Sequence, residues 1–189
     1  MTIGIDISQL AYRETGVAGY LENFVKALIK VDRENKYILF YSSFRRNLKS
    51  EIRNLKSEKV LIREFKYPPT LLDFFWNKLH ILPIESFIGN VDVFITSDWT
   101  EPPTKKAKKA TIIYDLIIFK FPEETHNKTE FNPFKLIISP NIVVQQKRKL
   151  EWVKKESDAV FCISASTVKD AEKLLGINKE KLFIAYPGV

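Results

Sequence analysis

Residues 2–41, TIGIDISQLAYRETGVAGYLENFVKALIKVDRENKYILFY, predict a strand, a helix and a second strand in succession. Thr2–Ile7 and Lys36–Tyr41 are short, almost continuous apolar runs, which is typical of strands buried on both faces. Between them, apolar residues recur from Val17 to Val31 at the spacing of one helical face. A strand–helix–strand order of this kind predicts two parallel strands joined by a crossover helix.

The same alternation continues through the chain. Further strands are predicted at Val60–Phe65, Val91–Thr96, Thr111–Tyr114, Ala159–Ile163 and Lys181–Ala185. Helices are predicted around residues 48–55, 72–79 and 141–156, and from an N-cap at Ser166 to a stop at Gly176. The fold class is therefore α/β: a doubly wound, mostly parallel, Rossmann-like sheet of seven strands with a central first strand. Residues 1–189 are expected to form one such domain, with residues 121–140 as an irregular excursion.

Composition excludes several classes of protein. With 45% hydrophobic and 28% charged residues the chain is an ordinary globular one, and its single cysteine excludes an intrachain disulfide. Two histidines exclude a Cys/His zinc site, and the lack of a D-x-D triplet leaves a carboxylate-bound Mg²⁺ without local support, so no metal is expected. No secretory signal and no membrane-spanning run is predicted, so the expected location is cytoplasmic.

The net charge of +7 is concentrated in two basic clusters, at residues 105–109 and 147–155. Solvated surface is the simpler interpretation of both clusters. The first cluster lacks interleaved aromatic residues, so no nucleic acid is expected; an anionic membrane surface, with the protein peripheral at the inner face, is the better functional alternative. The amphipathic stretch Leu71–Leu82 is interpreted as packing on the sheet, with an interfacial membrane helix as the alternative, and His80 is placed on the helix surface.

Candidate ligand-binding residues follow the ends of predicted strands, which meet at one edge of a parallel sheet. At the first strand–helix junction, glycines would let a ligand approach a helix N-terminus, although a tight turn and close packing explain them equally well. Aromatic rings and carboxylates at the ends of the fourth and fifth predicted strands suit a sugar, although capping and core packing remain open. These residues are Gly16, Val17, Gly19, Tyr20, Asp98, Trp99, Tyr114 and Asp115. The G-x-G-x-x-G and Walker patterns are absent, which argues against a simple dehydrogenase or P-loop enzyme.

Seven stretches, in order, resemble the N-terminal half of a retaining glycosyltransferase of the group 1 (family 4) kind, which has the two-domain GT-B architecture. They are IGIDISQL, TGVAGYLENFVKAL, WNKLHILP, VDVFITSDWTEPP, TIIYDL with FPE, SDAVFCISASTVKDAEKLLGI and LFIAYPGV, and they span nearly the whole chain. One departure is Tyr114, where the family commonly has His before the Asp of H-D-L.

The resemblance implies transfer of a hexose from a nucleotide-sugar donor to a glycan or lipid-linked acceptor, without a cofactor or metal. It implies that Asp115 and Tyr114 lie beside the reacting sugar, that the Gly16–Gly19 loop faces the donor phosphates, and that Ser164 lines the cleft floor. Pro187 and Gly188 would be hinge residues leading to a C-terminal donor-binding domain, which is expected to lie outside this chain, in cis or in trans. The alternatives are a non-catalytic glycan-binding module and a docking subunit for a separate donor-binding domain.

Overall fold

The protein is described by a computed structural model at residues 1–12, 14–97, 99–121 and 142–188. One sheet of seven strands, all parallel, runs through it, which confirms the predicted fold class. The strands are β1 Thr2–Asp6, β2 Lys36–Ser42, β3 Val60–Phe65, β4 Val93–Thr96, β5 Lys108–Ile113, β6 Ala159–Cys162 and β7 Leu182–Ile184.

The strand order is β3-β2-β1-β4-β5-β6-β7, so the chain first winds outward to β3 and then crosses back to the other side of β1. Ile3 of β1 accordingly pairs with Tyr37 of β2 on one side and with Val93 of β4 on the other. The two halves of the sheet wind in opposite directions from this point, and ligands of open parallel sheets bind in the crevice at the carboxyl ends of such strands. The order therefore identifies the carboxyl edge near β1, β4 and β5 as the place to look for a site.

Helical segments connect the strands on both faces. The α-helices among the described residues are α1 Gly16–Val31, α2 Ser50–Arg53, α3 Pro69–Leu72, α4 Glu85–Ile88, α5 Ile117–Lys120, α6 Ile142–Glu156 and α7 Ala165–Leu175. Asp73–Lys78 forms a π-helix directly after α3, and short 3₁₀ turns occupy Ser8–Ala11 and Lys179–Lys181.

Buried side chains alternate between the two faces of the sheet. In β2, Leu39 packs with Leu21 and Val25 of α1, whereas Phe40 packs with Trp76 of the π-helix on the opposite face. Every one of these side chains is fully buried, which is why the strand sequences are continuously apolar. A third cluster, around Val160, joins β5 and β6 to α6 and α7.

Local signals set the ends of α7, one of them not as predicted. The N-cap is Ser164, whose hydroxyl accepts a hydrogen bond from Thr167 N at 3.0 Å, so the prediction of Ser166 as the cap was wrong. The helix begins two residues earlier because β6 ends at Cys162 and its connection to α7 is very short. At the other end Gly176 adopts a left-handed conformation (φ 66°) and stops the helix as predicted.

Candidate functional site

The first turn of α1 is held in place at the carboxyl edge of the sheet. Thr15 is its N-cap: the Thr15 hydroxyl accepts a hydrogen bond from Ala18 N at 3.2 Å and donates one to Tyr12 O at 2.9 Å. This contact ties the start of α1 to the 3₁₀ turn that follows β1. The backbone N–H groups of a first helical turn have no partner within the helix, so this end of α1 offers donors and a partial positive charge to a ligand.

Gly16 and Gly19 are not required by packing within the described chain. Neither has a positive φ, and a Cβ atom built on either would lie more than 4 Å from every described atom outside its chain neighbours and its own helix backbone. The described residues therefore give no support to the interpretation of these glycines as close-packing positions. What remains is open space beside a helix N-terminus, which is the condition for a ligand to approach the backbone.

A cleft of 180 Å³ opens between α1, the end of β5 and α6. Its walls include three of the predicted site residues, Val17, Tyr114 and Asp115. Gln146 and Lys149 of α6 supply further polar groups, and the other lining side chains are aliphatic. The structure thus brings the first and fifth strand junctions together around one cavity.

Asp115 and Tyr114 present different chemistry to this cleft. Asp115 is exposed, and its Oδ1 accepts a hydrogen bond from Ile117 N at 3.1 Å, which fixes the carboxylate at the start of α5. Tyr114 is buried, and its carbonyl accepts a hydrogen bond from the Thr167 hydroxyl at 3.3 Å. A fixed, exposed carboxylate beside an aromatic wall suits a polar ligand that carries hydroxyl groups.

Tyr20 connects the cleft to the end of the chain. Its ring meets that of Tyr114 edge-on, with 5.5 Å between the ring centroids. Its hydroxyl donates a hydrogen bond to Ala185 O at 2.8 Å, and burial raises the pKa of this phenol, as does the nearby Cys162. Tyr20 therefore remains a neutral donor that joins α1 to the segment just before Pro187 and Gly188.

Two other predicted site residues, Trp99 and Ser164, do not line the cleft, and a third cannot be placed. Trp99 is half-buried beside Tyr12, with 6.3 Å between ring centroids, and its indole N–H is buried without a hydrogen-bond partner among the described residues. Ser164 caps α7, which gives its hydroxyl a structural role. Asp98 lies outside the described residues.

The sequence analysis missed a row of buried polar residues beneath the cleft. Lys149, which lines the cleft, is only 2% exposed, and its ammonium donates hydrogen bonds to Ser97 O and to the Thr111 hydroxyl. Thr111 in turn lies 2.7 Å from the hydroxyl of Thr96, its partner on β4. Asp6 is the last residue of β1, the strand beside β4. Burial raises the pKa of its carboxyl, while hydrogen bonds from Ser8 and the charge of Lys149 act in the opposite direction.

This row continues into a buried ion-pair network. Lys109 Nζ lies 3.1 Å from Glu101 Oε1 and 2.8 Å from Glu156 Oε2, and Glu101 Oε2 accepts a hydrogen bond from Thr96 at 2.6 Å. The Lys109 and Glu101 side chains are 3% and 0% exposed. The prediction that Lys109 and Lys149 are solvated was therefore wrong. A helical-face analysis contains the signal for Lys149, which precedes the buried Val153 by one turn.

Among the described residues, no group of three or more His, Cys, Asp or Glu side chains is arranged to hold a metal ion. None of the described helices combines the length and the apolar character needed to cross a bilayer. A comparison with protein-family models found no match, and a search of curated proteins found none either. The site must therefore be interpreted from its own residues.

Proposed function

We propose that this chain is the acceptor-side domain of a nucleotide-sugar-dependent retaining glycosyltransferase, which moves a hexose to a glycan or a lipid-linked acceptor. The observation that best supports the proposal is the open first turn of α1, with Gly16 and Gly19, beside a cleft that contains Asp115 and Tyr114. It fits the resemblance of the sequence to that family, in which these positions face the donor phosphates and the reacting sugar.

In the proposed role, the cleft binds and orients sugar hydroxyl groups. The exposed Asp115 carboxylate would accept hydrogen bonds from hydroxyls, and Gln146 would add an amide donor and acceptor. The aliphatic walls and Tyr114 would exclude water from the C–H faces of the ring. The N-terminus of α1 would complement negative charge on the donor diphosphate.

The reaction breaks the bond between the sugar's anomeric carbon and the diphosphate oxygen and forms a bond to an acceptor hydroxyl oxygen, with the same anomeric configuration. The proton of that hydroxyl passes to the departing nucleoside diphosphate. Catalysis then depends on positioning and on stabilising negative charge as the diphosphate departs. The resemblance assigns most of that stabilisation to a second, donor-binding domain. Residues 1–189 alone are therefore expected to give no sustained transfer when incubated with a panel of nucleotide-sugars and acceptors.

The decisive experiment is substitution of Asp115 in an enzyme that contains this domain together with its donor-binding domain. Asp115→Asn keeps the shape and removes the charge, so kcat is expected to fall about 10²-fold with little change in KM, if the carboxylate acts mainly in the transition state. The matched control is Asp92→Asn, because Asp92 is likewise exposed and accepts one backbone hydrogen bond, from Thr2 N, but lies just before β4 at the opposite edge. Equal activity of both variants and the parent would refute the role of Asp115.

A second variant tests the open space at α1. Gly19→Val places a branched side chain where the proposed ligand approaches, and its Cβ would meet no described atom within 4 Å beyond its neighbours and its own helix backbone. It should therefore raise KM for donor or acceptor while the thermal midpoint stays near that of the parent. Binding of a glycan without transfer by the two-domain protein would instead support the non-catalytic binding module.

A further inference from the structure

A set of exposed apolar side chains lies in the segment Leu71–Leu82, which contributes no residue to the cleft and has no part in the proposed function. The segment Leu71–Leu82 buries Leu72 and Trp76 against the sheet, in agreement with the predicted packing. Its other side remains in solvent, each side chain being 38–46% exposed. We call this set the apolar strip: Leu71, Phe74, Leu79, Ile81 and Leu82.

The apolar strip is held firmly at the surface. The π-helix places Leu79 N against Phe74 O, at 3.0 Å, and Ile81 N then donates to Phe75 O at 2.9 Å. His80 and Leu82 have positive φ values of 54° and 63°, a conformation that costs free energy in residues with side chains. The turn that carries the exposed side chains of residues 79, 81 and 82 therefore has a strained backbone at two positions.

His80 clamps this turn onto α6, so the prediction that it lies on a helix surface was wrong. Its Nδ1 lies 2.8 Å from Trp76 O, its Nε2 lies 2.8 Å from Glu156 Oε1, and its ring stacks on Trp152 at 3.6 Å. Burial raises the pKa of Glu156, but the hydrogen bond and charge of Lys109, with a smaller contribution from His80, outweigh this effect and lower the pKa. Both imidazole nitrogens therefore face oxygen atoms, which fixes the orientation of the ring on α6.

Lysines from three separate parts of the chain flank the apolar strip. Lys78 lies over the Phe74 ring at 5.5 Å, and Lys155 lies over Trp152, the ring on which His80 stacks, at 4.8 Å. Lys105 and Lys106 are exposed, and their backbone N–H groups donate hydrogen bonds to the carboxylate of Glu85. Glu85 follows Leu82 by three residues, so these lysines lie near the end of the apolar strip.

Two carboxylates near this surface, those of Glu85 and Asp73, are already engaged. Glu85 Oε1 accepts three backbone N–H bonds, and Asp73 accepts a hydrogen bond from Asn77 and pairs with Arg148 at 3.6 Å. Lys78, Lys105, Lys106 and Lys155 therefore supply exposed positive charge around the apolar strip.

We propose that the apolar strip binds the surface of an anionic lipid bilayer. Exposed Leu, Ile and Phe side chains insert at the boundary between headgroups and acyl chains, while flanking lysines are attracted to anionic headgroups. A second copy of this chain is the poorer occupant, because a symmetric contact would bring the lysines of one copy against those of the other. This inference goes beyond the proposed function and does not depend on it.

Co-sedimentation with vesicles tests the proposal directly. The protein should bind vesicles that contain about one third phosphatidylglycerol and should not bind vesicles of phosphatidylcholine alone. The double variant Leu79→Ser, Ile81→Ser should weaken the partition coefficient on anionic vesicles by about tenfold or more. Lys105→Glu, Lys106→Glu should weaken it to a similar degree, and about 0.5 M salt should weaken binding of the parent.

Matched controls use the same changes elsewhere on the surface. Phe44→Ser removes a ring that is 64% exposed, and Lys169→Glu, Lys173→Glu reverses two exposed lysines of α7. Both control variants should bind anionic vesicles as the parent does. The proposal is overturned if the parent ignores anionic vesicles, if the strip variants bind as well as the controls, or if the strip variants instead abolish self-association measured by sedimentation velocity.

Discussion

Substituting Lys109 by methionine should destabilise the fold strongly, although the sequence places Lys109 in what looks like a surface lysine cluster. Its ammonium lies between the carboxylates of Glu101 and Glu156, at 3.1 and 2.8 Å. Methionine retains the apolar stem and the approximate volume of the side chain. Lys109→Met therefore removes the charge from the network and leaves the packing nearly unchanged.

The magnitude follows from burial. Glu101 is fully buried, so without Lys109 its negative charge loses its close ionic partner in a medium that solvates it poorly. Removing one member of a buried ion pair typically costs 3–5 kcal/mol. Glu101 keeps its hydrogen bond from Thr96, so the lower end, about 3 kcal/mol, is expected. For a chain of this size that corresponds to a decrease in the melting temperature of roughly 6–12 °C.

Urea unfolding followed by circular dichroism measures this change in the free energy of unfolding. The double variant Lys109→Met, Glu101→Gln should recover at least about 1 kcal/mol of the loss, because the buried charge is then removed together with its partner. Arg53→Met is the surface control, since Arg53 and Glu64 form an ion pair whose side chains are 49% and 37% exposed. If Lys109→Met unfolds at the same urea concentration as Arg53→Met, the buried network does not stabilise the fold and the reasoning fails.

Two further results are expected from unfolding measurements. Glu156→Gln should lower the free energy of unfolding at pH 7, and its difference from the parent should shrink as the pH falls through 4.5 and below. The folded state holds the pKa of Glu156 under its ordinary value of 4.5, so the stabilising effect of the carboxylate is lost when it is protonated. A difference in the free energy of unfolding that does not change with pH would contradict this. Gly4→Ala should lower the free energy of unfolding by about 1–3 kcal/mol, because its Cβ would come within 2.7 Å of the buried Phe94 ring. Gly19→Ala should instead raise the free energy of unfolding by about 0.5–1 kcal/mol, because alanine favours the helical conformation of α1. The measurement tests whether the two changes have opposite signs.

The regular elements could be predicted from the sequence because strands buried on both faces must be continuously apolar. Val60–Phe65 forms β3 as predicted, and the run Lys36–Tyr41 is one residue short of β2. The alternation of strands and helices likewise sufficed for a parallel sheet, since a crossover helix returns the chain in the same direction. These are local or nearly local rules, and one sequence is enough to apply them.

The buried charges could not be predicted in this way, because their partners come from distant parts of the chain. Lys109 meets Glu156 across 47 residues of sequence, and Lys149 reaches Ser97 across 52. The four lysines within residues 105–109 look equally exposed in the sequence, yet the fold buries one of them, Lys109. The π-helix was missed for a related reason: its hydrogen bonds are stabilised by the contacts of the His80 turn and not by a sequence pattern.

The glycines show how far the structure narrows the functional interpretation. Gly4 is explained within the chain, because the Phe94 ring occupies the space of its side chain. Gly16 and Gly19 are exposed, and no described atom occupies the space of their side chains, so packing does not explain them and their role in binding stays a prediction. Lys149 falls between the two cases, since it lines the cleft and also supports the buried network, and its substitution would change binding and stability together. Asp115 is exposed and is fixed by one local hydrogen bond, so it and Gly19 are the positions at which activity can be tested without disturbing the fold.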